Sequence, residues 1–284
     1  ALLDQVEEFP PGVVNAVSGP GSIVGDVLTG HPDVDMINFT GSVDVGKTIM
    51  RACSSTMKKV SLELGGKAPA IVCADADLDR AVRMSVQSMT TNSGQVCGAL
   101  SRFFVHESLV TEFERRAAEA IQQIVVGPGL ASGTQMGPLN SEEHRNRVLA
   151  MVDRAQTEGA VLSAKGRVPV SEGNYMPPQI LTAVNPEMEI AKEEIFGPVM
   201  PVIPYRDLDD AIALQNGTEF GLTGGIQSLD EHEVVAWLER VEVGNAYVNR
   251  HITGAVVQRQ PFGGWKRSSV GCGPKAGGPW YVEA

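Results

Sequence analysis

Apolar residues recur along this chain at two different periods, and the switches between them outline its elements. From Asp75 the apolar positions Leu78, Ala81, Val82, Val86 and Met89 keep the helical spacing, while Asp75, Asp77 and Asp79 suit the electropositive start of a helix. Residues 109–124, 142–157, 208–214 and 231–240 read as further helices, and the short apolar runs at 102–105, 160–162, 179–181 and 199–203 as strands. Upstream, Leu2, Leu3, Val6 and Phe9 fall at helical spacing until Pro10-Pro11-Gly12 ends the segment. The β-rich residues 13–17 then lead into Gly19-Pro20-Gly21-Ser22-Ile23-Val24-Gly25, which predicts a strand, a glycine turn and a helix. A second such unit runs from Met36-Ile37-Asn38-Phe39 through Thr40-Gly41-Ser42 into a helix over 43–52, with residues 60–64 as another strand. Successive βα units predict an α/β fold around a parallel sheet.

The length of 284 residues accommodates two domains, and 31 glycines with 17 prolines concentrate in loops, notably in a tail from 259 to 284 expected to form an extended arm. A formal charge of -11 disfavours nucleic acid as a partner. No run approaches the ~18 apolar residues of a membrane span. The four cysteines, Cys53, Cys73, Cys97 and Cys272, show no C-x-x-C pairing, which points to a reducing, cytoplasmic compartment. The chain starts at Ala1 without an initiator Met, so processing or an upstream portion stays open.

Several segments could carry chemistry. The glycines at 19, 21 and 25 suit either a dinucleotide pyrophosphate or a tight turn. Gly41 and Gly46-Lys47-Thr48 formally match a triphosphate-binding loop, although no second magnesium-binding strand stands out. Cys97, among the small residues of Asn92-Ser93-Gly94-Gln95-Val96-Cys97-Gly98, is either a nucleophile for a carbonyl carbon or a buried structural thiol. Glu63, inside a short apolar strand, is either a base that activates water or an edge carboxylate paired with Lys58 or Lys67. Glu194 and Phe196 set a carboxylate and a ring two residues apart, suited to a ribose and a nicotinamide, or else to solvent and a turn. Phe262, in Pro261-Phe262-Gly263-Gly264-Trp265-Lys266, lines an apolar pocket or anchors a loop.

Taken in order, Phe39-Thr40-Gly41-Ser42, Leu62-Glu63-Leu64-Gly65-Gly66-Lys67, Ser93-Gly94-Gln95-Val96-Cys97, Glu193-Glu194-Ile195-Phe196-Gly197-Pro198-Val199 and Pro261-Phe262-Gly263-Gly264-Trp265-Lys266 resemble signatures of the aldehyde dehydrogenase superfamily. The resemblance implies a partial Rossmann-type cofactor domain over 1–65, an α/β catalytic domain over 66–266 and an arm over 267–284. It implies that Cys97 attacks an aldehyde and passes through a thiohemiacetal and a thioester, that Glu63 activates the hydrolytic water, and that the Cys97 N–H serves the oxyanion. Gly41 and Ser42 would lie near the pyrophosphate of NAD or NADP, Glu194 would hold the nicotinamide ribose and Phe196 would pack beside the ring. No metal is implied, and the complete protein is expected to be a homo-oligomer.

Family members extend further upstream, so the chain is expected to be a fragment or a truncated form, with a noncatalytic fold-mate as the competing reading. Within the superfamily, Thr253-Gly254-Ala255-Val256-Val257 and Gly273-Pro274-Lys275-Ala276-Gly277-Gly278-Pro279 look most like pyrroline-5-carboxylate (glutamate semialdehyde) dehydrogenases, including those fused to proline dehydrogenase. That subgroup implies substrate contacts at Gly254, Ala255 and Phe262. It also carries a Ser directly after the nucleophile, where this chain has Gly98. A CoA-acylating enzyme is the nearer alternative, and Glu63 speaks against it because CoA capture needs no water-activating base.

Overall fold

The computed structural model describes residues 5–6, 10–168, 172–271 and 276–280. The expected first helix, Cys272, residues 273–275 and the last four positions of the expected arm fall largely or wholly outside them. The chain divides into two compact units, residues 1–62 and 63–284.

In the first unit, residues 13–17 form an exposed loop instead of the expected strand. Val13, Val14 and Val17 are exposed, so their β-branched side chains gain no burial among the described residues. After a bend at Gly19-Pro20, a helical turn over Gly21–Gly25 runs into the helix α1 (Asp26–Gly30), so Gly21 and Gly25 lie in helical backbone. Next come β1 (Met36–Thr40), α2 (Val43–Ser54) and β2 (Lys59–Glu63), with β1 and β2 as neighbouring strands. Gly41 makes the turn because a side chain there would run into the ring of Phe39. Ser42 then caps α2, its hydroxyl accepting from Val45 N at 3.4 Å. The triphosphate-loop reading fails on this geometry. Gly46, Lys47 and Thr48 lie inside α2, Lys47 pairs with Asp44 at 3.6 Å, and Thr48 Oγ1 donates to Asp44 O.

The second unit is built on β3 (Ala68–Val72), β4 (Leu100–His106), β5 (Val161–Lys165), β6 (Gln179–Thr182), β7 (Val199–Tyr205), β9 (Thr223–Gln227) and β10 (Asn245–Val248). They form a seven-stranded sheet in the order β10-β9-β3-β4-β7-β6-β5, parallel throughout except at the β5 edge. The short strands β8 (Phe220–Gly221) and β11 (Trp265–Lys266) pair antiparallel, and β12 (Ser269–Val270) follows them.

Alternation along the central strands sends side chains to two cores. Ala70, Val72, Phe103, Val105, Met200 and Val202 meet α3 (Leu78–Thr90) and α4 (Val110–Gln122) on one face. Ile71, Phe104, Val199 and Ile203 meet α5 (Glu142–Thr157), α6 (Glu189–Lys192), α7 (Leu208–Asn216) and α8 (Glu231–Leu238) on the other. Helices on both faces bury β3 completely. No helix among the described residues is long and apolar enough to cross a membrane.

Candidate active site

In this parallel sheet the candidate residues lie where the chain enters the strands. Residues 63–66 lead into β3, Cys97 and Gly98 into β4, residues 194–197 into β7, and Leu222 into β9. Because β9, β3, β4 and β7 are parallel neighbours, these entrances line one edge of the sheet. Open α/β sheets more often bind ligands at the opposite, carboxyl edge.

A left-handed bend presents Cys97. Asn92, Ser93 and Gly94 follow α3 with φ of 50°, 59° and 73°, a region costing ~1–2 kcal/mol for each residue that carries a side chain. Local hydrogen bonds offset this cost. Asn92 Nδ2 donates to Gln95 O at 3.0 Å, Gln95 Nε2 to Asn92 O at 3.1 Å, Ser93 Oγ to Gly137 O at 2.8 Å, and Asn140 N to Gln95 Oε1 at 2.9 Å. A side chain at position 94 would strike the carbonyl of Gly197. Cys97 emerges half-buried.

The turn Gly65-Gly66 is the meeting point. A Cβ on Gly66 would collide with the Cys97 carbonyl oxygen, and one on Gly65 would lie 2.6 Å from Glu194 Oε2. Gly66 N donates to Glu194 Oε1 at 3.0 Å, so the same two glycines touch the Cys97 backbone and the Glu194 carboxylate. Glu63 Oε1 accepts from Ser269 Oγ at 3.1 Å, and the next residue's amide, Leu64 N, donates to Ser268 O at 2.8 Å. Burial pushes the Cys97 thiol above its ordinary pKa, and the nearby carboxylates of Glu194 and, less strongly, Glu63 push it further. Burial likewise raises the Glu194 carboxyl, against the Gly66 N–H, Lys67 and Arg147, which favour its charge.

The segment bearing Glu194 and Phe196 is held from α5. Arg147 Nη2 donates to Ile195 O at 3.1 Å, and His144 Nε2 lies 2.7 Å from Phe196 O. A carbonyl only accepts, so His144 carries its proton on Nε2 and turns Nδ1 to Arg147 Nη2 at 3.3 Å. Burial lowers the His144 pKa, which favours this neutral form. These contacts fix Phe196 at a φ of 54°, with its ring edge-on to His144.

The remaining sequence candidates are spread more widely. Gly254 and Ala255 are exposed on the loop after β10, where Gln260 Nε2 reaches Gly254 O at 3.4 Å. Phe262 is buried and bridges to Ala276. The loop approaches Gly98, the residue after Cys97, at Ile252, whose Cγ2 is 3.6 Å from where a Cβ on Gly98 would stand. Gly41 and Ser42 belong to the first unit.

The alternative pairing of Glu63 with Lys67 is corrected. Lys67 is 2% exposed, with its Nζ buried and without a hydrogen-bond partner among the described residues. Burial and then Arg102 lower its pKa, while Glu194 and Glu193 act in the opposite direction. The sequence reading did not anticipate Arg102, His144 or Arg147. The spacing of His144 and Arg147 places both on one helix face, but nothing local indicates that their partners are carbonyls about fifty residues downstream.

The aldehyde dehydrogenase family model matches residues 1–284. This chain belongs to that family. It is 41% identical over 264 residues to cytosolic aldehyde dehydrogenase 1 of Mus musculus, covering 93% of this chain and 52% of the relative. Betaine aldehyde dehydrogenase of Staphylococcus aureus, solved with NAD+, superposes with a TM-score of 0.91 at 35% identity, covering 97% of this chain and 55% of that one. Lactaldehyde dehydrogenase of Escherichia coli gives 0.87 at 38% identity, covering 92% and 54%. The chain spans about half the length of the curated relatives it matches.

Proposed function

We propose that the whole protein containing this chain oxidises an aldehyde to a carboxylate with NAD+. The observation that carries this reading is the convergence of Cys97, Glu194 and the Gly65-Gly66 turn, with Glu63 in electrostatic reach of the thiol. Cys97 Sγ, once deprotonated, bonds the aldehyde carbon as a thiohemiacetal, and departure of the hydride from that carbon leaves the acyl group on sulfur as a thioester. NAD+ supplies the hydride acceptor when bound. The Cys97 N–H is one donor to the substrate oxygen. Glu63 takes a proton from the water that releases the acid, and Ser269 keeps the carboxylate oriented.

The residues present fit a nicotinamide ribose. Glu194 spends one oxygen on Gly66 N and retains acceptor capacity on the other, and the missing side chain at position 65 leaves that oxygen its space. Phe196 would pack beside the ring. Glutamate 5-semialdehyde is the substrate we place first, because the exposed backbone at Gly254 and Ala255 suits an α-carboxylate. A homo-oligomer, a cytoplasmic compartment and a cofactor domain over 1–65, a catalytic domain over 66–266 and an arm over 267–284 complete this reading.

The test is pre-steady-state turnover of a panel of aldehydes by the full-length protein. Cys97→Ala abolishes NADH formation while NAD+ binding persists, and unchanged turnover would remove Cys97 from the chemistry. Glu63→Gln retains the first burst and slows the steady state. An equal loss of both phases would rule out water activation by Glu63.

A further inference from the structure

The Gly65-Gly66 turn is tied down from behind by a buried cation. Arg102, on β4, is 2% exposed. Its Nε and Nη2 both donate to Lys67 O, at 3.1 and 2.9 Å. Nη1 donates to Leu214 O at 3.0 Å, and Nη2 also to Gln215 O at 2.8 Å. Leu214 and Gln215 lie in the last turn of α7, where the helix dipole favours a positive charge, and the Leu214 carbonyl also accepts from Gly217 N at 3.3 Å. The guanidinium is thus a rigid fork joining a helix end to the residue that follows Gly66. Burial lowers its pKa to about 9, so the charge persists at neutral pH.

We propose that Arg102 is a positioning residue for the active site: by clamping Lys67 O to the end of α7 it holds the Gly65-Gly66 turn against Cys97 and keeps Gly66 N on Glu194. The proposal rests on the reading of Glu194 as the ribose ligand only in its kinetic consequence. The geometric consequence stands apart from it. The acidic groups facing Cys97 are Glu194 and Glu63, and both disfavour its thiolate. If the turn loosens and Glu194 leaves Gly66, the thiolate forms at lower pH.

The experiment compares Arg102→Lys and Arg102→Met in the full-length protein with Trp237→Phe. Trp237 is fully buried and bonds Gln215 Oε1 at 2.9 Å, so its variant disturbs the same helix end without touching the fork. Three quantities are read below the melting temperature: the pH profile of Cys97 alkylation by iodoacetamide, the KM for NAD+, and kcat. Expected for both Arg102 variants is alkylation shifted to lower pH and a KM for NAD+ raised about five- to tenfold, with Trp237→Phe changed in melting temperature alone. Because Arg102→Met could fail to fold, Arg102→Lys, which keeps the charge and loses the fork, carries the decision. A lowered melting temperature with wild-type alkylation and KM in Arg102→Lys would overturn the proposal. A shifted alkylation profile with unchanged KM would leave Arg102 as the clamp and remove Glu194 from cofactor binding.

Discussion

At the scale of single residues, the site is organised by a missing side chain as much as by those present. Gly66 brings its backbone against the Cys97 carbonyl, and its N–H fixes Glu194 at 3.0 Å. The cost of this arrangement falls on the Cys97 thiol, whose ionisation burial and then that carboxylate disfavour. Glu194→Gln removes the neighbouring negative charge and keeps an acceptor for Gly66 N. We therefore expect Cys97 in this variant to react with iodoacetamide faster than wild type near pH 8, with the two rates converging at high pH. Slower or unchanged alkylation would show that the Glu194 charge does not raise the thiol. Gly66→Ala is a poorer probe, since the clash is with backbone and overpacking of this kind costs about 1–3 kcal/mol.

At the scale of elements, α5 acts as the brace of the Glu194 segment, and its first turn depends on Ser141. The Ser141 hydroxyl accepts from His144 N at 3.1 Å, which sets the turn that aims His144 at Phe196 O. Replacing Ser141 by Ala removes the cap, with an expected loss of ~1 kcal/mol. Thermal melting checks this, with Ser141→Asp expected to retain most of the stability. Element type was legible in the sequence wherever one face is apolar and the other wet, as in α3, α4 and α5. The strands β3 and β9 escaped it for physical reasons. Ala68-Pro69-Ala70-Ile71-Val72 is buried on both faces and shows no alternation, with Pro69 accommodated at a register shift. Thr223-Gly224-Gly225-Ile226-Gln227 has two glycines in its middle, where neighbouring backbone and side chains approach closely. Residues 13–17 erred the other way, because β-branched composition without a surface to pack on does not make a strand. Cys97, Glu63 and Glu194 were legible as motifs, whereas the clamp through Arg102 was not, since carbonyl partners leave no trace in residue identity.

At the scale of the whole molecule, the sheet's two cores set the pH response. Cys73 follows β3 into the core shared with α8, and burial pushes its thiol up to about 12. The unfolded chain loses this proton near pH ~8.5, whereas the folded chain keeps it. Above that pH the unfolded state therefore binds fewer protons, and stability falls as pH rises until the folded thiol itself ionises. Denaturant unfolding of wild type and Cys73→Ala near pH 8 and pH 10 should show a steeper decline for wild type, and parallel declines would exclude Cys73 as the source. The entrance-edge placement of Cys97, Glu63 and Glu194 also separates them from the far rim of the sheet. Leu229, beyond the exit of β9, is 63% exposed. Five residues of strand at ~3.3 Å per residue put that rim roughly 16 Å from the entrance edge. A fluorophore attached there would leave the surroundings of the Cys97 sulfur undisturbed.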